Sequence, residues 1–207
     1  MTTRIWRGVM KYITWTIDLP LILSINKYGY IKWYVDAALA VRKYTRSHTG
    51  GFMPMEKGGA YVQSSKQNMN IKSSTEAELV GVDDVLTQVI WTRWFLKKQG
   101  YMIHDILIYQ DNQSAIRLDK NGRWLISKRT RHINIRYYFI TDRIIKQKKS
   151  VELFHTFDMF GDYFTKALQV SQFCRFRNIF HDIHEDDILA YNASGRALLE
   201  EPKKWKK

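Results

Sequence analysis

Ser73-Ser74-Thr75-Glu76-Ala77-Glu78-Leu79-Val80 runs into an apolar-periodic stretch that ends at Gly100, and it reads as the start of a long central helix. The hydroxyl cluster can cap the first free amides. Ser73 with Glu76 and Thr75 with Glu78 both have capping-box spacing, and acidic side chains suit the positive end of the helix dipole. Val82, Val85, Leu86, Val89 and Ile90 then recur at helical spacing, and a helical wheel places Glu78 on the side of Val82 and Val85. Gly100, after Lys97 and Lys98, is a natural C-terminal stop. An ionised carboxylate buried without a partner is costly, so Glu78 is protonated, ion-paired or bound to a cation.

Upstream of this helix, Ile31, Trp33 and Val35 alternate on one face of a strand from Tyr30 to Val41, so Tyr34 and Asp36 point the other way. A turn at Arg46 to Gly51 and short β-type pieces at 52–55 and 60–65, with Lys57-Gly58-Gly59 between them, complete a three-stranded antiparallel meander. Downstream, the apolar run from Asp105 to Tyr109 predicts a strand buried on both faces in the middle of a sheet, delivering Asp111 at its carboxyl end. A short helix over 114–118, a helix over 133–145 and a last strand over 151–157 follow. Gly161 breaks the pattern, and Asp162 opens a helical region through Phe173, Phe176 and Phe180. Before the first strand, Trp6, Val9, Met10, Tyr12 and Ile13 give a basic helical pattern that Pro20 closes.

The 207 residues are 45% apolar, enough for one α/β domain with extensions. A net charge of +13 points to a polyanionic partner, chiefly nucleic acid. Cys174 is the single cysteine, which excludes an internal disulfide or a cysteine zinc site. The run Leu19 to Ile25 is too short to span a bilayer and lacks a cleavage site, so neither a membrane segment nor secretion is expected.

This order of elements brings Asp36, Glu78, Asp111 and Asp162 to strand-end or helix-start positions. Any single acid is most often a surface charge or an ion-pair partner. A set of oxygen ligands favours Mg²⁺ or Mn²⁺ over zinc, and two such ions roughly 3.5 to 4 Å apart can drive phosphodiester cleavage.

The stretches Ser73-Ser-Thr-Glu-Ala-Glu78-Leu, Tyr109-Gln-Asp111-Asn-Gln-Ser-Ala-Ile116, Lys128-Arg-Thr-Arg-His132-Ile-Asn-Ile-Arg-Tyr137 and Gly161-Asp162-Tyr-Phe-Thr-Lys166-Ala-Leu168, in this order, resemble the ribonuclease H domain of copia-type LTR retrotransposon polyproteins. The resemblance runs from about Val9 to about Phe180 and includes Arg46-Ser-His-Thr-Gly-Gly51 and Ser65-Lys-Gln67. It implies a ribonuclease H-like fold, a five-stranded mixed sheet flanked by helices, over residues 30–180. Residues 1–29 would be the end of the connection from a reverse transcriptase, and 181–207 a charged, loosely ordered tail. It implies cleavage of the RNA strand of RNA/DNA hybrids that depends on Mg²⁺, with Mn²⁺ as the alternative ion, and Asp36, Glu78, Asp111 and Asp162 as the catalytic and metal-binding acids. The reverse transcriptase domain of the same polyprotein would be a partner, and a cytoplasmic virus-like particle or the nucleus the location.

Several positions depart from the family pattern without removing a ligand: Ala38 and Leu39 after the first aspartate, Ala167 for a proline, Asn134, and Tyr138. The loop histidine that cellular ribonucleases H place before the last acid has no counterpart between Phe157 and Gly161. His132 and His155 read first as packed or hydrogen-bonded residues and second as proton shuttles. Lys128, Arg129, Arg131, His132, Arg136, Lys146 and Lys148 are candidate hybrid-binding residues, although a solvated helix face explains any one of them as well. The competing reading is a nucleic-acid-binding, non-catalytic remnant of a decayed element, since polymerase, integrase and protease motifs are absent.

Overall fold

The computed structural model describes residues 2–17, 19–25, 29–40, 46–69, 71–113, 149–153 and 158–183. In chain order the elements are α1 (Thr2–Trp15), β1 (Ser24–Ile25), β2 (Tyr30–Ala38), β3 (His48–Pro54), β4 (Glu56–Lys57), β5 (Gly59–Lys66), α2 (Ser74–Lys98), β6 (Asp105–Gln110), β7 (Lys149–Leu153), α3 (Asp162–Thr165) and α4 (Val170–His181). Five strands form one mixed sheet in the order β5-β3-β2-β6-β7, while β1 and β4 form a separate two-stranded ribbon. The meander β2-β3-β5 is antiparallel, and β6 and β7 join parallel to β2. This is the five-stranded mixed sheet flanked by helices that the resemblance implied.

The central helix forms as its sequence dictates, with one change at the cap. Ser73 Oγ accepts from the Glu76 N–H at 3.2 Å, but Glu76 reaches back to the Lys72 N–H at 2.9 Å, so the reciprocal arm lands one residue early. Thr75 lies inside the first turn, and Glu78 is left for another purpose. At the other end Gly100 takes φ +90°, and the N–H groups of Gly100 and Tyr101 bond to Lys97 O and Leu96 O, both at 3.1 Å. That pairing is a Schellman stop, available without strain because glycine has no Cβ.

The two faces of the sheet bury different chemistry. On one face Val82, Val85, Leu86, Val89 and Leu96 of α2 pack on Ile31, Trp33, Val35, Ile106 and Ile108. Burying an aliphatic side chain of this size contributes about 1.5 to 3 kcal/mol each. On the other face Tyr34, Phe52, Met159, Phe176 and Phe180 form an aromatic layer, with Tyr109, Phe160, Tyr163 and Phe164 against it. The alternation read for β2 therefore holds, with Ile31, Trp33 and Val35 on the α2 side and Tyr34 opposite. β2 ends at Ala38, and Ala40 turns the chain at φ +55°.

β6 lies in the sheet interior, but its burial alternates. Ile106, Ile108 and Gln110 are buried while Asp105, Leu107 and Tyr109 are half-buried, a correction to the expectation of a strand buried on both faces. The C-terminal helical region is broken in two by Lys166, whose backbone is extended at φ −121°, ψ 152°. Gly161 serves less to end a strand than to permit contact: a Cβ there would lie 2.7 Å from Asp36 Cβ and 2.8 Å from Asp36 N. Gly50 on β3 is equally constrained, because a Cβ would fall 2.6 Å from Gly161 O. These two glycines let α3 approach the sheet directly over Asp36.

The segment before β2 docks at its end. Ile22 N–H donates to His181 O at 3.1 Å, His181 Nδ1 lies 2.9 Å from Pro20 O, and Tyr12 meets Phe173 edge-on at 5.9 Å. α1 stops at Trp15, five residues before Pro20, and leaves Trp6, Met10 and Ile13 exposed. β7 is in place through Leu153; its expected continuation to 157, the helices expected at 114–118 and 133–145, and the tail from 184 lie outside the described residues.

Candidate metal centre

Strand register sets the first two acids. Tyr34 pairs with Tyr109 in the parallel β2-β6 ladder, so two residues further on Asp36 and Asp111 come level at the carboxyl ends of neighbouring strands. Glu78, in the first turns of α2, is aimed at the same place by a different route. Gly81, one turn further along, packs on Ala37, where a Cβ would meet the Ala37 Cβ at 3.3 Å, and this seats the helix start over the strand end. The result is that Asp36, Glu78 and Asp111 each offer a carboxylate oxygen within 4.8 Å of the others, with Asp36 and Glu78 buried. Among the described residues this is the one group of three or more metal-ligating side chains so placed.

The partners of Glu78 are neutral. Gln110 Nε2 donates to Glu78 Oε2 and to its backbone carbonyl, both at 3.2 Å. Burial first, and then the charges of Asp36 and Asp111, push the Glu78 carboxyl well above the usual carboxylate range, and the bonds from Gln110 and the Ala37 N–H only partly offset this. Repulsion among oxygens this close is what a bound dication relieves, and an all-oxygen donor set suits a hard divalent ion. The residues present therefore fit a divalent cation.

Asp162 lies outside that group of three and is joined to Asp36 through a cation of the chain itself. Lys166 Nζ stands 2.7 Å from Asp162 Oδ1 and 3.3 Å from Asp36 Oδ1. Thr165 Oγ1 donates a short hydrogen bond to the other oxygen, Asp36 Oδ2. Burial and the Asp36 charge push Asp162 up to about 6, against the pull of Lys166. Burial alone would lower the Lys166 ammonium, but Asp36 and Asp162 outweigh it and hold it above its ordinary value.

Of the residues singled out from sequence, Asp36, Glu78 and Asp111 are brought together, and Asp162 is adjacent through Lys166. Lys128, Arg129, Arg131, His132, Arg136, Lys146, Lys148 and His155 lie outside the described residues. Sequence reasoning passed over Thr165, Lys166 and Gln110. The i, i+4 spacing of Asp162 and Lys166 was the available signal for one of them.

No family model matches the chain. It is 31% identical over 144 residues, 69% of its length, to the Retrovirus-related Pol polyprotein from transposon TNT 1-94 of Nicotiana tabacum. It is 28% identical over 172 residues, 82% of its length, to the corresponding polyprotein from transposon RE2 of Arabidopsis thaliana. The chain is a relative of the retrotransposon Pol polyproteins. It spans 11% and 12% of the length of those two proteins. Among solved structures, LC11-RNase H1 isolated from compost matches with a TM-score of 0.47 at 12% identity, covering 62% of this chain and 86% of that one. RNase H1 from the archaeon Halobacterium salinarum NRC-1 matches with a TM-score of 0.42 at 14% identity, covering 62% and 87%. This relative of the Pol polyproteins carries its acid cluster where the ends of β2 and β6 adjoin.

Proposed function

We propose that this chain is a ribonuclease H, hydrolysing the RNA strand of RNA/DNA hybrids with divalent cations during retrotransposon reverse transcription. The observation that carries the reading is the convergence of Asp36, Glu78 and Asp111 within 4.8 Å in a Pol relative. These three acids would hold Mg²⁺ or Mn²⁺, with Asp162 contributing from across Lys166. When bound, the cations supply the Lewis acidity that activates a water and neutralises the charge growing on the leaving oxygen, the two-metal pattern of phosphodiester hydrolysis. The chain's own residues orient the ligands: Gln110 holds Glu78, and Thr165 fixes one oxygen of Asp36.

The basic run containing Lys128, Arg129, Arg131, His132, Arg136, Lys146 and Lys148 would bind the hybrid by charge and shape across its minor groove. Residues 1–29 would be the end of the connection from the reverse transcriptase domain, 30–180 the nuclease and 181–207 a charged tail. The place of action would be a cytoplasmic virus-like particle or the nucleus. No described helix is long and apolar enough to cross a membrane.

The test is a cleavage assay on hybrid labelled in its RNA strand, with Mg²⁺, with Mn²⁺ and with EDTA. Cutting with either ion, none in EDTA, and none by Asp111→Asn supports the reading. Salt-sensitive hybrid binding with no cutting under either ion would replace it by the non-catalytic remnant.

A further inference from the structure

We infer that Lys166 is a tethered cation standing in for a second divalent ion between Asp36 and Asp162, so that the chain loads its metals in sequence and Lys166 must withdraw before the second can enter. The inference rests on the metal-dependent reading above and goes beyond it by assigning a role to a residue outside the acid set.

Asp36 belongs to two groupings of acids. On one side lie Glu78 and Asp111, with oxygens drawn together within 4.8 Å. On the other, Asp162 takes no part in that group and instead meets Asp36 across the Lys166 ammonium, at 2.7 and 3.3 Å. An ammonium in contact with two carboxylate oxygens does electrostatically what a metal ion does there, at lower charge. The other oxygen of Asp36 accepts from Thr165, so Lys166 and Thr165 together engage both oxygens of that carboxylate.

Lys166 is also built to leave. Its side chain is 41% exposed, whereas those of Asp36 and Asp162 are 1% and 8% exposed, so the acids are fixed in the wall and the lysine reaches in from solvent. A four-carbon stem with a compact, strongly hydrated head can swing outward without disturbing the backbone that carries it. The extended backbone at Lys166, just past the end of α3, lets the stem double back over Asp162.

The test counts bound Mn²⁺ in the 207-residue protein without nucleic acid, by calorimetry and by the electron paramagnetic resonance of free ion. The expected result is one ion bound well by wild type and a second bound much more weakly. In Lys166→Met the second ion binds at least about tenfold more tightly, since two like charges a few ångströms apart then lack a counter-charge. Lys166→Gln, which keeps a polar head, shows the same gain, and Lys166→Arg does not. Glu78→Gln weakens the first ion in every background. If both neutral variants fold and bind the second ion no more tightly than wild type, the role of Lys166 is overturned while the first site stands. If wild type binds no Mn²⁺, or Glu78→Gln leaves its binding unchanged, the metal reading fails and takes this inference with it.

Discussion

On one side of Asp36 the chain assembles Glu78 and Asp111 from a helix start and a neighbouring strand end, and supplies Glu78 only with neutral hydrogen-bond donors. On the other side it sets Asp162 against the same aspartate and supplies a lysine between them. Both arrangements crowd carboxylates in a poorly solvated place, and they differ in their nearest partners, the Gln110 amide at Glu78 and the Lys166 ammonium at Asp162. A crowded carboxylate held by an amide keeps a repulsion that a ligand can relieve, while one held by an ammonium is partly neutralised from within.

The largest effect should come from Glu78, the acid held by an amide. Glu78→Gln removes an ionised ligand worth several kcal/mol of transition-state stabilisation, so hybrid cleavage should fall by about a thousandfold or more. In EDTA the same variant should melt at or above wild type, because it also removes a repelled charge. A variant that melts lower in EDTA and still cuts would dissolve the distinction between the two sides.

Next in size is the contact that brings the lysine side into place. Gly161→Ala puts a methyl 2.7 Å from Asp36 Cβ, and overpacking of this kind costs about 1 to 3 kcal/mol, readable as a lowered urea midpoint. Unchanged stability would mean that α3 is free to shift and that its closeness to Asp36 is not enforced.

A smaller effect should appear on titration. Asp162 is raised to about 6 in the folded protein, from 3.8 in the unfolded chain, so the native state binds the extra proton in that window. Its ionisation therefore opposes folding at neutral pH, and the metal-free protein should gain stability as pH falls from above 6 toward 4. Mg²⁺ should flatten that trend. Melts in EDTA across this range in wild type and Asp162→Asn check it; an identical slope in the two proteins would assign the titration elsewhere.

The smallest effect concerns the basic run of the sequence. Arg131→Ala should weaken hybrid binding a few-fold and reduce its salt dependence by about one contact, without altering Mn²⁺ binding. An effect on Mn²⁺ binding would join the basic run to the acid cluster and blur the separation drawn here.

Much of this site could be read from the chain because three of its acids sit where local rules put them. Asp36 and Asp111 follow from strands that announce themselves by alternation and by an apolar run. Glu78 follows from helical phase, which set it apart from Glu76, and the structure leaves Glu76 capping Lys72 while Glu78 turns inward. What stayed hidden depends on contacts between distant segments. Thr165 and Lys166 reach Asp36 across 129 and 130 positions, and no periodicity connects them. The split of the last helical region was hidden for the same reason: α3 is held by its contact with β2 and β3, not by its own propensity. The β1-β4 ribbon pairs Ser24 with Lys57 across a gap that two-residue strands give no pattern to bridge.

The clearance between Gly50 and Gly161 is smaller than a methyl group. In engineering language it is a datum surface, a place where two parts touch backbone to backbone so that everything mounted on either is located without adjustment. Side chains elsewhere in the protein can trade rotamers to absorb an error, but here nothing is available to trade. The distance from the backbone of α3 to Asp36 is thus a tolerance cut into the main chain.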